Sequence, residues 1–154
     1  MKGQFLASSA LALASLVSAA QKIAAAAPGD VRVEIATPHS SRGHVLCTLF
    51  DSEEAYKQLR PTMRVVVDPI QPVSTCVFRD VTTGIYMISA VHDENDNGKL
   101  DKSLLGMPKE GYGVSNNHTY ALKGPNFTES SVQLGDGLKS ISIRLRYPGG
   151  ESTP

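Results

Sequence analysis

The sequence predicts an all-β protein, an antiparallel β-sandwich of about seven strands with one long ordered loop. Three observations carry this. Short runs with an apolar residue at every second position recur from Val31 to Tyr147. Clusters of Gly, Pro, Asn and Asp separate those runs, and little of the chain reads as helix. Cys47 and Cys76 both fall inside predicted strands, where a bridge would tie neighbouring strands or the two sheets.

The elements follow in order. Residues 1–26 are predicted to be a signal peptide. Lys2 gives a positive start, an apolar run extends from Phe5 to Ala20, and small residues offer cleavage sites after Ala20 or near Ala26. The sandwich is assigned to residues 28–148 and a flexible tail to 149–154. The first strand, "VRVEIA" (31–36), sets Val31, Val33 and Ile35 against Arg32 and Glu34. "HVLCTLF" (44–50) is apolar on both faces, as a central strand is. "DSEEAYKQL" (51–59) has a Ser or Asp start, acids in the first turn and Lys57 later, and predicts a short helix ended by Pro61.

"MRVVVDPI" (63–70) and "TCVFRDV" (75–81) are the next strands. The turn "VTTG" (81–84) leads into "IYMISAVHD" (85–93), the strongest buried-strand run. Residues 93–127 then lose periodicity and are rich in Asp, Asn, Gly and Pro. Loops of that length in small domains are functional or disordered. "SSVQL" (130–134) and "SISIRLRY" (140–147) close the domain, with "GDG" (135–137) as a hairpin signal between them. In the last strand Ile141, Ile143, Leu145 and Tyr147 share one face.

The bulk charge by itself makes no case for some partners. Fifteen basic residues less Lys2 and Lys22 of the leader leave 13 against 15 acidic, a net charge of −2. That is no footprint for nucleic acid or an anionic membrane. No apolar run beyond the leader approaches bilayer-spanning length. An even cysteine count in an exported chain favours a Cys47–Cys76 disulfide. The rival use of these residues is a pair of thiols in a metal chaperone.

The chemistry concentrates in "VHDENDNGKLD" (91–101). Ca²⁺ takes six to eight oxygens from carboxylates, amides, carbonyls and water. Asp93, Asn95, Asn97, Gly98, Lys99 (through its carbonyl) and Asp101 stand at places 1, 3, 5, 6, 7 and 9 of a calcium loop. Place 12 is Leu104 instead of the bidentate Glu, and a strand enters where an EF-hand has a helix. The cofactor is therefore a weak Ca²⁺, at roughly 10⁻⁴–10⁻³ M affinity, or none, with the segment a polar turn.

His92, Asp93 and Glu110, with Glu94 and Asp101 nearby, form the alternative: a hydrolase doing acid–base chemistry. No G-x-S-x-G, P-loop or dinucleotide fingerprint supports an enzyme. Tyr112, Asn116, Asn117, Phe127 and also Tyr120 are candidates for a binding surface facing a peptide, glycan or envelope protein.

"FDSEEAY", the long string "TTGIYMISAVHDENDNGKLDKSLLGMPKEGYGVSNN", "GPNF" and the terminal "IRLRY" together resemble a bacterial exported family, domain of unknown function 2141. Asp96 stands where that family has Gly, and "TTG" replaces its Pro-Gly turn. The resemblance spans nearly all of the chain after the leader. It implies a periplasmic or secreted protein of immunoglobulin- or transthyretin-like fold, without an established activity. The expected role is non-enzymatic, binding or structural, in the cell envelope.

Overall fold

The computed structural model describes residues 29–36, 38–118, 124–135 and 139–149. The predicted leader, Tyr120, the middle of the Gly-Asp-Gly turn and most of the tail lie outside the described residues. Among the described residues there are eight strands: β1 Gly29–Ala36, β2 His44–Phe50, β3 Met63–Val67, β4 Val73–Val81, β5 Gly84–Asp93, β6 Gly111–Val114, β7 Ser131–Leu134 and β8 Lys139–Arg144. Two short helices, α1 Glu53–Lys57 and α2 Phe127–Ser130, and a 3-10 turn at Ser115–Asn117 complete the fold.

The strands form two sheets, a three-stranded one in the order β4-β1-β8 and a five-stranded one built on β3-β2-β5-β6 with β7 also paired to β5. Val31, Val33, Ile35, Cys76, Phe78 and Ile143 from the first sheet meet Val45, Cys47, Leu49, Ile88 and Ala90 from the second in one buried core. The period-two reading of β1 and β8 holds because each alternate residue points at the opposite sheet. The Cys47–Cys76 disulfide forms inside that core and joins β2 to β4 across the sandwich. Both cysteines of the chain are thus consumed, which removes the thiol-chaperone reading.

Strand β5 organises the larger sheet. Along one edge it pairs with β2 for its whole length, from His44↔Asp93 to Phe50↔Met87. The other edge is divided, with β6 covering Ser89–His92 and β7 covering Gly84–Met87. Ile88 falls in the gap between them. The Ser115 hydroxyl fills it, accepting the Ile88 N–H at 3.0 Å and facing the Ile88 and Ser130 carbonyls as donor. A buried strand can spare no unpaired amide, so one serine replaces a missing strand residue.

Three expectations need correction. The ordered region 93–127 is not loop throughout, since it holds β6, the 3-10 turn and the start of α2. Strand β6 escaped notice because Gly111 and Gly113 erase its apolar alternation. Both lie where β8 and its extension press in: a Cβ on Gly111 would stand 2.3 Å from the Tyr147 ring, and one on Gly113 2.6 Å from the Arg144 carbonyl oxygen. Strands β7 and β8 do not form a hairpin, because β7 joins β5 and β8 joins β1 in the other sheet. The half-open edge of β5 captures β7 instead. Finally, β1 and β8 pair in parallel, unlike every other ladder.

The disulfide links residues separated by 29 positions. Replacing both cysteines by Ala is expected to lower the unfolding free energy by about 3–4 kcal/mol on the chain-entropy account. A urea midpoint unchanged from the wild type would contradict this.

Candidate functional site

Strand β5 ends in two buried polar residues, His92 and Asp93. The His92 ring gives its Nε2–H to the Arg42 carbonyl at 2.8 Å, since a carbonyl can only accept. Its Nδ1 shares a hydrogen bond of 2.7 Å with the Tyr147 hydroxyl. Tyr147 also accepts the His39 backbone N–H and stacks on the His39 ring at 3.7 Å. Burial pushes the Tyr147 phenol up to about 12. His39 in turn meets Glu94, which also accepts the Ser40 hydroxyl at 2.7 Å. Burial acts to raise the Glu94 pKa, but the Ser40 hydrogen bond and the His39 charge outweigh it and hold that carboxyl below its usual range.

Asp93 turns the chain. Its two carboxylate oxygens accept the N–H groups of Asn97 at 3.1 Å and Gly98 at 2.7 Å. Gly98 adopts φ +81°, the left-handed conformation that the sharp turn demands. Asn95 accepts a second bond from the Asn97 N–H and donates its amide to Asp101 at 2.8 Å. That bond, with a further one from Asn97, draws the Asp101 pKa down. Asn97 accepts the Lys99 N–H at 3.1 Å. Buried Glu110 then staples the two ends of the loop, taking the Glu94 N–H at 3.1 Å and the Asp101 N–H at 2.9 Å. His44 on β2 holds the exposed tip through Asp96, whose hydrogen bond raises the His44 pKa.

The five predicted calcium ligands, Asp93, Asn95, Asn97, Lys99 and Asp101, therefore do sit on one turn. The loop is also closed by its own hydrogen bonds. In the hydrolase alternative, His92, Asp93 and Glu110 are brought close but point inward. Each of their hydrogen-bonding atoms given above meets a backbone group or the Tyr147 hydroxyl. Among the described residues every buried side-chain polar atom has a partner.

The predicted binding surface separates. Asn116 and Asn117 have φ of 65° and 52° and act as backbone clamps. Asn116 donates to the carbonyls of Glu129 and Ser131, and Asn117 exchanges a donor and an acceptor bond with Ser142 and Arg144 of β8. Phe127 lines a shallow hollow with Ile85 and Val132, away from the rest. Among the described candidates, Tyr112 lies in a groove.

That groove runs over the outer face of the five-stranded sheet and holds about 570 Å³. Register builds its floor: Leu46 pairs with Val91 and Val91 with Tyr112, while Thr48 pairs with Ser89 and Ser89 with Val114. One wall is α1 with its C-terminal turn, where Tyr56 packs edge-on to Phe50 and Leu59 follows. Ser52 caps that helix by accepting the Ala55 N–H. The other wall is a hairpin over residues 101–109, carrying Lys102, Met107 and Pro108. Thr48 and Ser89 satisfy each other on the floor at 2.6 Å. Three cations, Arg64, Lys99 and Lys102, line the groove, and among the described lining residues there is no carboxylate. The apolar outer face of "HVLCTLF" was the sequence signal for this site, but it reads equally well as a buried central strand.

A bacterial family described as an uncharacterized protein conserved in bacteria, DUF2141, matches residues 33–142, and the chain belongs to it. No curated protein and no solved structure matches the chain.

The staple is directly testable. Glu110→Gln turns one acceptor into a donor facing an N–H. It is expected to cost about 1–3 kcal/mol of stability and to speed hydrogen exchange at the Glu94 and Asp101 amides. Wild-type exchange rates at both amides would sink this assignment.

Proposed function

We propose that the protein is an exported, non-enzymatic binding module whose ligand is an apolar chain bearing one negative group, such as a fatty carboxylate. The observation that carries this reading is the lining of the outer groove, apolar on its floor except for the mutually bonded Thr48 and Ser89, with three cations and no acid among the described residues. Its volume of about 570 Å³ suits a small molecule. An acyl chain would lie along Leu46, Val91 and Tyr112, leaving its carboxylate to Arg64, Lys99 or Lys102. Export is supported by the leader pattern and by the core disulfide, a bond that persists in oxidising compartments. The inward commitment of His92, Asp93 and Glu110 supports a structural use of those residues over acid–base chemistry.

A second reading concerns the loop. We also propose that Asp93, Asn95, Asn97, Asp101 and the Lys99 carbonyl hold a weak Ca²⁺. The favouring observation is that Gly98, at the sixth place, takes the left-handed turn of a cation loop around an already fixed Asp93. At ten times its dissociation constant the ion would stabilise the fold by about 1.4 kcal/mol, raising the melting temperature by roughly 4–8 °C. An identical melt in EDTA and in excess Ca²⁺ removes the ion from the account.

For the groove, calorimetric titration with dodecanoate is expected to show saturable binding. Val91→Asp places a like charge on the floor and is expected to weaken it at least tenfold, about 1.4 kcal/mol. Lys102→Gln should weaken it less, and the uncharged alcohol of equal length should bind more weakly than the acid. Absence of saturable binding, or full binding by a folded Val91→Asp protein, overturns the reading.

A further inference from the structure

The hairpin over residues 101–109 carries its apolar residues in the wrong place for folding. It is tightly specified: Lys102 bridges Pro108, Ser103 and Met107 share a backbone bond of 2.8 Å, and Gly106 closes the turn on the Ser103 carbonyl at 2.9 Å. The Ser103 hydroxyl accepts the Met107 N–H as well. At the root, Lys109 donates to the Asp101 carbonyl, and the Glu110 staple fixes the base. The two central turn residues are Leu104 and Leu105, at 107 % and 91 % exposure, with Met107 beside them at 52 %.

Turn centres favour Gly, Pro, Asn, Asp and Ser, each for a backbone reason that leucine lacks. Two leucines there bury nothing and help no turn geometry. A rigid, projecting apolar tip is the mark of an interaction site. Its surroundings select the partner. Lys102 flanks the tip and Lys99 and Lys109 stand at its base; all three are exposed and make no ion pair among the described residues, while Lys99 and Lys109 also face the Asp101 charge. Asp101 is the one acid between residues 99 and 109. An apolar point inside a basic collar matches a surface that is anionic outside and hydrocarbon beneath. The long lysine side chains can keep their charge in the headgroup layer while the leucines enter.

We infer that this hairpin is a docking finger for an anionic lipid surface, with Leu104 and Leu105 inserting and the three lysines meeting phosphate. The overall charge of the chain does not oppose this, because screening confines attraction to groups within about 10 Å of the surface. The finger shares Lys99 and Lys102 with the groove, but Leu104 and Leu105 lie outside its lining, so the leucine variant and Val91→Asp let the two readings fail separately.

The chain from Gly29 onward holds every residue of the core cluster found among the described residues, and it is used once a cooperative melt shows that it folds. It is sedimented with vesicles of phosphatidylethanolamine and phosphatidylglycerol, and with phosphatidylcholine alone, in EDTA so that no divalent ion bridges. The wild type is expected to partition onto the anionic vesicles and much less onto the neutral ones. The pair Leu104→Ser with Leu105→Ser, and separately the triple Lys99→Gln, Lys102→Gln, Lys109→Gln, should each lower partitioning roughly tenfold or more, with melting temperatures kept. Val91→Asp should leave it unchanged. The proposal is overturned by a wild type that binds neither vesicle, which would leave a protein as the tip's partner. It is equally overturned by a leucine variant that binds as the wild type does, which is charge adsorption only. Loss in Val91→Asp would mean that the groove, not the tip, takes the lipid.

Discussion

The divided edge of β5 is the constraint on which the rest of the structure depends. A ten-residue strand at the centre of a sheet must satisfy its amides on both sides. Strand β2 does this on one side without a break. On the other, two short strands of four residues each meet end to end and leave Ile88 between them. The Ser115 hydroxyl makes the join possible. Asn116 and Asn117 then fix the two segments on either side of it, one to the start of β7 and one to β8. The string Ser-Asn-Asn is therefore a splice in the sheet.

Because β6 is held there, its approach from β5 must be made by residues 94–110, and that detour creates the site. Asp93 and Glu110 are carboxylates buried at the two ends of the detour, each holding two backbone N–H groups. Charge-assisted bonds of this kind are among the stronger ones available to a loop. They convert a polar, glycine-rich stretch into a rigid turn followed by a hairpin. The hairpin in turn supplies one wall of the groove and a projecting tip. Carboxylates that suggest catalysis on paper thus serve as architecture, and the surface they build is where recognition is proposed.

The groove and the tip share one chemical character, apolar surface edged by cations. An amphiphile with a negative head fits the first, and a layer of such molecules fits the second. Neither follows from the net charge of the chain, which is close to neutral. Local arrangement matters more than the total, since charges farther apart than a Debye length act on a ligand independently.

Much of this was legible in the residues. Alternation in β1 and β8, the mostly apolar run of β5 and the short helix with its Ser or Asp start follow from local pattern, because each depends on a residue and its near neighbours; the Cys47–Cys76 pairing follows from there being two cysteines in a chain expected to be exported. The partners of β7 and β8, the parallel ladder between β1 and β8, and the existence of β6 were decided only by the tertiary structure. Each rests on which edge stands open once the other strands are placed, and on two glycines whose purpose is to admit Tyr147 and Arg144 from another sheet. The same holds for the candidate site. The sequence by itself determined that the chain would turn on polar side chains from Asp93 to Asp101, as a calcium loop or as a plain turn. Only the folded chain decided that Asp93 and Glu110 face inward as staples while Leu104 and Leu105 face water, because burial is set by what lies across the gap.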